Sequence, residues 1–199
     1  MIIRLSDIAD IHAGYPFRGT IAHDKNASVQ VVQPKDISDL GELHLENLVK
    51  TELKGKKLPM WLQQGDILFI AKGIRTYATY VPEEIKDVIC SPSLFQIRIQ
   101  PSLRNRINPI FLAWQLNQKP IQQYFRQTAE GSAQTNIRKP VLANVELEVP
   151  ILEKQNIIAK LYEASIKENA LLHKLINNRQ QQLNAIATDL IKNSEQFKG

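Results

Sequence analysis

Two carboxylates and a lysine in this sequence have the types and order that metal-dependent cleavage of a phosphodiester needs. Asp66 is followed eighteen residues later by Glu84 and then by Lys86. In a site of this kind the carboxylates hold Mg²⁺ and the lysine lies near the attacked phosphate. Residues 81–84 read Val-Pro-Glu-Glu, however, which predicts a turn where this chemistry requires a strand. We therefore keep a Mg²⁺-dependent nuclease only as an alternative function.

Nothing else in the sequence predicts catalysis, a metal or a cofactor. Glycine-rich phosphate loops and the Gly-x-Gly-x-x-Gly and Gly-x-Ser-x-Gly motifs are absent. The four histidines and the single cysteine lack the close spacing of zinc ligands. One cysteine allows no internal disulfide, and neither a leader peptide nor a long apolar run is present. These features predict a cytoplasmic protein that does not enter a membrane.

The positive charge is concentrated in two segments. Between Arg98 and Pro140 seven basic residues stand against one acidic residue, a surplus of six. Between Lys50 and Arg75 six basic residues stand against two acidic ones, a surplus of four. The whole chain has a net charge of only +5, so the remainder is net acidic. Such clustering favours a polyanionic partner, most plausibly nucleic acid, with a solvated basic face as the alternative.

The elements that would carry these residues change character near Pro150. Before it, short alternating segments bounded by turn residues predict strands, at 28–33, 43–49, 66–71, 75–81, 94–99 and 145–149. Asn108 and Pro109 predict the capped start of a helix that runs to Gln118, and Lys119-Pro120 predicts an interruption before a second helix over 121–128. Residues 1–150 therefore predict one mixed α/β domain.

Residues 151–199 predict one long helix. From Leu152 to about Lys192 there is no glycine or proline, and a helix of that length would reach roughly 60 Å. Alternating steps of four and three residues link apolar positions into a coiled-coil seam, formed by Ile158, Tyr162, Leu172, Ile176, Leu183, Ile186 and Leu190. An unpartnered seam predicts a second helix as its partner. The alternative is that the helix folds back on its own domain.

Several passages, in this order and spacing, resemble one half of a specificity (S) subunit of a type I restriction-modification system. They are Leu5-Ser6-Asp7-Ile8 with 14–19 (Gly-Tyr-Pro-Phe-Arg-Gly), 33–37 (Gln-Pro-Lys-Asp-Ile), 65–73 (Gly-Asp-Ile-Leu-Phe-Ile-Ala-Lys-Gly), 131–137 (Gly-Ser-Ala-Gln-Thr-Asn-Ile) and the junction at 145–158. At that junction the family usually shows Pro-Pro-Leu-x-Glu-Gln, whereas this chain reads Pro-Ile-Leu-Glu-Lys-Gln. The difference touches only the start of the helix.

The resemblance implies an α+β fold, with a target-recognition domain over 1–150 and a spacer helix over 151–199. It implies a non-catalytic subunit that reads half of a split site in double-stranded DNA. Its helix would dock the methyltransferase (M) subunit, with the restriction (R) subunit as a further candidate partner. The family usually carries two recognition domains and two helices. One of each here predicts a half-length form that pairs as a homodimer through its helix and reads a palindromic site.

Eight residues are candidates for contact with DNA. Lys72 and Arg75 flank Gly73 after a predicted strand, and Tyr77 lies on the same strand face as Arg75. The others lie in loops at motif positions of the family, and they are Arg18, Lys35, Gln134, Asn136 and Arg138. Arginine suits guanine, and asparagine or glutamine suits adenine, each through paired hydrogen bonds. A third hypothesis is a helical adaptor that binds only proteins.

Overall fold

The computed structural model describes residues 2–39, 41–55, 57–129 and 135–195 of the chain. The chain divides into two compact units, Met1–Tyr162 and Glu163–Gly199. The first unit contains strands and helices, and the second continues a helix that begins in the first. The division expected near residue 150 coincides instead with the start of that helix.

In chain order the first elements are β1 (Ile2–Arg4), α1 (Leu5–Ile8), β2 (Ala9–Ala13), β3 (Val29–Val32), β4 (Val49–Thr51), β5 (Ile67–Ile70), β6 (Lys72–Gly73), β7 (Ala78–Tyr80), β8 (Val88–Cys90) and β9 (Leu94–Ile99). They are followed by α2 (Pro109–Leu116), α3 (Lys119–Thr128), β10 (Thr135–Asn136), α4 (Lys139–Ala143), β11 (Glu146–Glu148) and α5 (Leu152–Glu195). The α+β class is confirmed.

Strand β5 lies at the centre of the first unit and separates two hydrophobic cores. It belongs to an antiparallel sheet with the order β2-β9-β5-β7. Successive side chains of a strand point to opposite faces. Ile67 and Phe69 accordingly enter one core, while Leu68 and Ile70 enter the other. All four are buried, which explains why this strand reads as a continuous apolar run rather than an alternating one.

Different elements cover the two faces of this sheet. On one face helices α2 and α3 supply Leu112, Leu116 and Phe125, and the Phe125 ring lies 4.9 Å from the ring of Phe69. On the other face lies a sheet with the order β4-β3-β8, which contributes Val32 and Cys90. Burial there raises the pKa of the Cys90 thiol to about 12, so this thiol stays protonated at neutral pH.

The two helices over the sheet begin as local sequence rules predict. The side chain of Asn108 accepts hydrogen bonds from the backbone N–H groups of Ile110 (2.8 Å) and Phe111 (3.2 Å), and Pro109 occupies the first turn. The capped start of α2 is therefore confirmed. Helix α3 begins at Lys119 rather than at Ile121, because a proline fits within the first turn of a helix.

Most predicted strands are present in shorter form. The segments 28–33, 66–71, 94–99 and 145–149 contain β3, β5, β9 and β11. In the segment 75–81 only 78–80 form β7. Strands β2 and β8 were not predicted.

The predicted strand at 43–49 is wrong, since only Val49 lies in a strand, β4. Leu43, Leu45 and Leu48 do point inward, and they pack with the core that contains Val32. Both edges of β3, however, are already paired, one with β4 and the other with β8. The alternating pattern here therefore reflects burial of an extended loop and not membership of a ladder.

Gly14, in the first motif of the resemblance, has a packing role. Its backbone N–H donates to the carbonyl of Leu94 (3.1 Å), and the next residue, Tyr15, bonds the carbonyl of Cys90 (2.9 Å). A Cβ atom at position 14 would collide with the carbonyl oxygen of Ser91. Glycine lets these backbones approach each other.

Helix α5 is 44 residues long and confirms the long helix predicted from Leu152 onward. Gln155 anchors its first turns within the first unit and is fully buried. Its amide donates to the carbonyls of Arg106 (3.0 Å) and Pro150 (2.8 Å) and accepts from the backbone N–H of Asn108 (2.9 Å). This glutamine belongs to the junction motif, so that motif fixes where the helix begins.

The second unit leaves its large apolar side chains exposed. Five of the predicted seam residues lie here with about half or more of their surface accessible, namely Leu172, Ile176, Leu183, Ile186 and Leu190. Leu171, Leu175 and Ile191 are exposed as well. The other two seam residues, Ile158 and Tyr162, are half-buried in the first unit. Among the described residues, no helix is long and apolar enough to cross a bilayer.

Candidate nucleic-acid interface

A two-stranded ribbon brings two of the predicted DNA-contacting residues together. Strands β6 and β10 pair antiparallel, with Asn136 opposite Lys72 and Thr135 opposite Gly73. The ladder continues beside the ribbon, where the backbone N–H of Ile137 donates to the carbonyl of Ala71 (2.8 Å). Residues that are 64 positions apart in the sequence therefore lie side by side at the surface.

A groove of about 600 Å³ lies next to this ribbon. Its lining includes Lys35, Lys72, Ile74 and Arg75, three of which are predicted DNA-contacting residues. The side chains of Lys35 and Lys72 are exposed, so two ammonium groups face solvent at the groove. We call Lys35, Lys72, Ile74, Arg75 and Asn136 the recognition face.

Arg75 holds the groove together. Its guanidinium donates to the backbone carbonyls of Ile37 (3.0 Å) and Ser38 (2.7 Å) and forms an ion pair with Asp39 at 3.2 Å. It also lies over the ring of Tyr77, 5.3 Å from the ring centroid, as expected from their common strand face. The residue therefore fastens the loop after β3 to the loop before β7.

Tyr77 connects this arrangement to the start of α5. Its hydroxyl lies 3.1 Å from the hydroxyl of Tyr162, which also accepts from the Asn117 amide at 3.2 Å. Burial raises the pKa of Tyr162, so its phenol remains neutral. Gly41, with φ +85°, leaves room for the Tyr77 ring, which occupies the space of a Cβ. Tyr162, expected in the coiled-coil seam, is thus engaged within the first unit.

The remaining predicted residues lie elsewhere. Arg18 is exposed and lines a separate cavity of about 380 Å³ together with Lys54 and Tyr15. Arg138 is exposed and directly precedes α4. Gln134 lies outside the described residues.

Asp66 is bound by neighbouring side chains in a way that opposes a role in metal binding. The carboxylate is 2% exposed and accepts from Arg98 Nε (2.8 Å), Arg98 Nη2 (2.8 Å) and Gln96 Nε2 (2.7 Å). The hydrogen bond to Asp66 raises the pKa of Arg98. Glu84 and Lys86 are exposed and lie outside any strand. In the part of the chain that the structure describes, no cluster of three metal-ligating residues exists.

Asp36, in a second motif of the resemblance, also has a structural role. Its carboxylate accepts from the backbone N–H of Gln33 (2.8 Å) and fixes the short 3₁₀ turn that carries Lys35. Burial raises the pKa of Asp36, although this hydrogen bond and nearby Lys35 act in the opposite direction. Asp66 does the same for its own turn by accepting from Gln63 N–H (2.7 Å).

Sequence reasoning missed Ile74, which is 95% exposed at the tip of the loop between β6 and β7. The signal that could have found it is its position. An isoleucine between Gly73 and Arg75 follows the end of a buried strand and belongs to no periodic apolar pattern. A β-branched apolar residue in such a loop has no core to enter.

A comparison with protein families now identifies the chain. A family model described as the type I restriction modification DNA specificity domain matches residues 1–180. The chain belongs to this family. The resemblance based on its sequence motifs is thereby confirmed, and the recognition face lies within the matched part of the specificity domain.

Solved structures show the same fold for this specificity domain. The S subunit of a type I system from M. genitalium has a TM-score of 0.55 at 15% identity, covering 81% of this chain and 37% of that one. The HsdS subunit from Thermoanaerobacter tengcongensis has a TM-score of 0.56 at 17% identity, covering 87% and 39%.

A third structure, from work on complex assembly and conformational transition of the type I R-M system, has a TM-score of 0.61 at 17% identity. It covers 94% of this chain and 43% of that one. The specificity domain therefore spans about two-fifths of the length of the subunits that it matches. A search of curated protein sequences finds no match.

Proposed function

We propose that this specificity domain reads half of a split duplex-DNA site and is not itself an enzyme. One observation carries the proposal: Asn136 pairs with Lys72 beside the groove that Lys35 lines. One surface then offers two ammonium groups to phosphates and an amide that can pair with adenine. A basic, polar surface of this kind suits a nucleic acid better than an apolar ligand.

The residues of this surface divide into two roles. Lys35 and Lys72 contact phosphates and set the register of the domain on the duplex, while Asn136 reads a base edge. Arg75 is a positioning residue, because its guanidinium already binds two backbone carbonyls and Asp39. Tyr77 supports Arg75 from below.

Three more of the predicted residues extend the contact with DNA beyond the recognition face. Arg18 and Arg138 have exposed side chains suited to phosphates. Gln134 is two residues before Asn136 in the sequence, and its amide suits adenine in the same way.

The nuclease alternative is not favoured. A catalytic carboxylate must be free to hold Mg²⁺, whereas Asp66 is buried and bonded to Arg98 and Gln96. We expect the pure protein to leave duplex DNA uncut in the presence of Mg²⁺. DNA cleavage that is lost on Asp66→Asn would contradict this.

Membership of the family supports the choice of partners. We propose that the domain acts in the cytoplasm and binds the methyltransferase subunit of a type I system, with the restriction subunit joining the same assembly. The chain itself would supply only sequence recognition. Methylation and cleavage would come from these partners.

Helix α5 supports a further part of the proposal, a homodimer. Its exposed leucines and isoleucines at 172, 176, 183, 186 and 190 follow alternating steps of four, seven, three and four residues. A second copy would bury them in a coiled coil. A pair of copies has twofold symmetry, so the two half-sites would be inverted repeats.

Selection from a pool of random duplexes at moderate salt tests the function. The pure protein is incubated with the pool, and the retained DNA is sequenced. An enriched split motif with twofold symmetry is the expected result, and an asymmetric half-motif would support recognition but not the homodimer. No enrichment, either alone or with the methyltransferase subunit added, would overturn the proposal.

A charge-neutralising variant separates DNA recognition from a purely protein-binding adaptor. Lys35→Gln with Lys72→Gln should weaken DNA binding on every sequence and flatten its salt dependence by about two in the logarithmic slope. Lys25→Gln with Lys86→Gln removes the same charge from other exposed positions and serves as the control. Equal effects of the two pairs would favour the adaptor.

A further inference from the structure

Ile74 occupies an unusual position for an apolar side chain. It is 95% exposed, and it lines the same groove as Lys35 and Lys72. Single exposed apolar residues are common on protein surfaces, so exposure alone carries no conclusion. The argument rests on how firmly the loop is held and on what surrounds its tip.

The loop that presents Ile74 is fixed on both sides. After it, Arg75 bonds the carbonyls of Ile37 and Ser38, and the hydroxyl of Thr76 donates to the side chain of Gln122 (2.8 Å). Before it, Lys72 is paired with Asn136 in the ribbon. The isoleucine therefore stands on a rigid support, which lowers the entropy cost of forming a contact.

The surroundings of Ile74 favour DNA as its partner. Lys35 and Lys72 offer positive charge at the groove, and Asn136 adds a side chain that can read a base edge. A side chain placed between phosphate-binding groups meets the base edges in the groove of the duplex. In the major groove the apolar feature of those edges is the 5-methyl group of thymine.

We infer that Ile74 is a specificity-determining residue that packs against the 5-methyl group of a thymine in the target site. This inference rests on the proposed function. It assigns apolar readout to Ile74 beside the polar readout by Asn136. Replacing that thymine by adenine, guanine or cytosine would remove the methyl contact.

Deoxyuridine provides the test, because it differs from thymine only by this methyl group. Each thymine of the selected site is replaced in turn by deoxyuridine, and binding is measured for the wild type, Ile74→Ala and Leu58→Ala. At one position the wild type should bind about fourfold more weakly to deoxyuridine, the effect of one buried methyl group. Ile74→Ala should bind the thymine site more weakly and lose this discrimination.

Leu58→Ala is the matched control, since Leu58 is also an exposed apolar residue, at 87%, and lines a different pocket. It should keep the fourfold preference. The inference is overturned if no thymine shows a preference that depends on Ile74, or if the selected site has no thymine. It is also overturned if Ile74→Ala weakens binding equally on both bases, which would indicate a wedge between base steps.

These outcomes separate the two levels of the proposal. A split motif without an Ile74-dependent thymine leaves the proposed function standing and removes the inference. Absence of any motif removes both. The urea midpoint of Ile74→Ala should match that of the wild type, because so exposed a side chain contributes little to folding.

Discussion

The two units of the chain place the same kinds of apolar side chain in opposite environments. In the first unit Phe69, Phe111 and Phe125 are fully buried, in cores formed by the unit itself. In the second unit Leu171, Leu175 and Leu190 have 59% to 66% of their surface exposed. Burial of such a side chain contributes about 1.5–3 kcal/mol. The first unit gains this stabilisation alone, whereas the second can gain it only from a partner.

This difference separates two kinds of stability. The free energy of unfolding of the first unit should be independent of protein concentration, as for any domain with its own core. The pairing of the second unit should depend on concentration, because association follows mass action. Variants that act on one unit and not on the other test the comparison directly.

The largest effect is expected at the seam of the second unit. Leu172→Ser, Ile176→Ser and Leu183→Ser together would remove six apolar side chains from a homodimer, each worth about 1.5 kcal/mol or more. The variant should be monomeric at concentrations at which the wild type is dimeric. Light scattering across a concentration series measures the mass.

A matched variant of the same helix controls for helix propensity. Lys167→Ser, Lys174→Ser and Gln181→Ser replace three exposed residues spaced by seven. This variant should remain dimeric. A dimer that survives the seam variant would show that the interface lies elsewhere.

The second-largest effect is expected at the buried ion pair of the first unit. Arg98→Met leaves the Asp66 carboxylate, 2% exposed, without its charged partner. Loss of one member of a buried pair costs about 3 kcal/mol. Urea denaturation followed by the fluorescence of Trp61 and Trp114 should show this loss, with the dimer mass unchanged.

Arg104→Met is the control for this position, because Arg104 is exposed. It should change the free energy of unfolding by less than about 0.5 kcal/mol. Equal losses from Arg98→Met and Arg104→Met would mean that the Asp66 pair does not stabilise the first unit.

A smaller effect is expected where α5 is bonded into the first unit. Tyr162→Phe removes the hydroxyl that meets Tyr77 and Asn117, which should lower the free energy of unfolding by about 1 kcal/mol. Ile157→Ala, at a residue 61% exposed on the same helix, should have little effect. The urea midpoint distinguishes them, and a wild-type midpoint for Tyr162→Phe would contradict the assignment of Tyr162 to the first unit.

The smallest effect concerns the recognition face. Asp39 is 96% exposed and brings negative charge to the ion pair with Arg75. Asp39→Asn removes its repulsion of phosphates, so DNA affinity should rise about twofold at low salt and less at high salt. Glu83→Gln is an exposed control. An unchanged or lower affinity for Asp39→Asn would contradict the placement of DNA over this groove.

Local patterns were sufficient to predict the helices. The absence of glycine and proline from Leu152 onward predicted α5, and Asn108 with Pro109 predicted the start of α2. Both signals act within a few residues of the chain. The apolar run at 67–70 likewise predicted β5, because a strand covered on both faces needs no polar positions.

Features that depend on distant pairing could not be predicted. Strand β8 has only three residues and is defined by its parallel pairing with β3. Arg98 was counted in a basic cluster, but its charge is used by Asp66, 32 residues away. The recognition face was predicted only as separate residues, because the pairing of Lys72 with Asn136 spans 64 positions.

The exposure of the recognition face has a consequence for how this protein can evolve. Lys72 and Ile74 stand on a loop whose backbone is held by other residues, and their own side chains contribute almost nothing to the cores. Single substitutions there can therefore change the preferred DNA sequence at little cost in folding. New specificities are accessible by one mutation at a time, through intermediates that all remain folded.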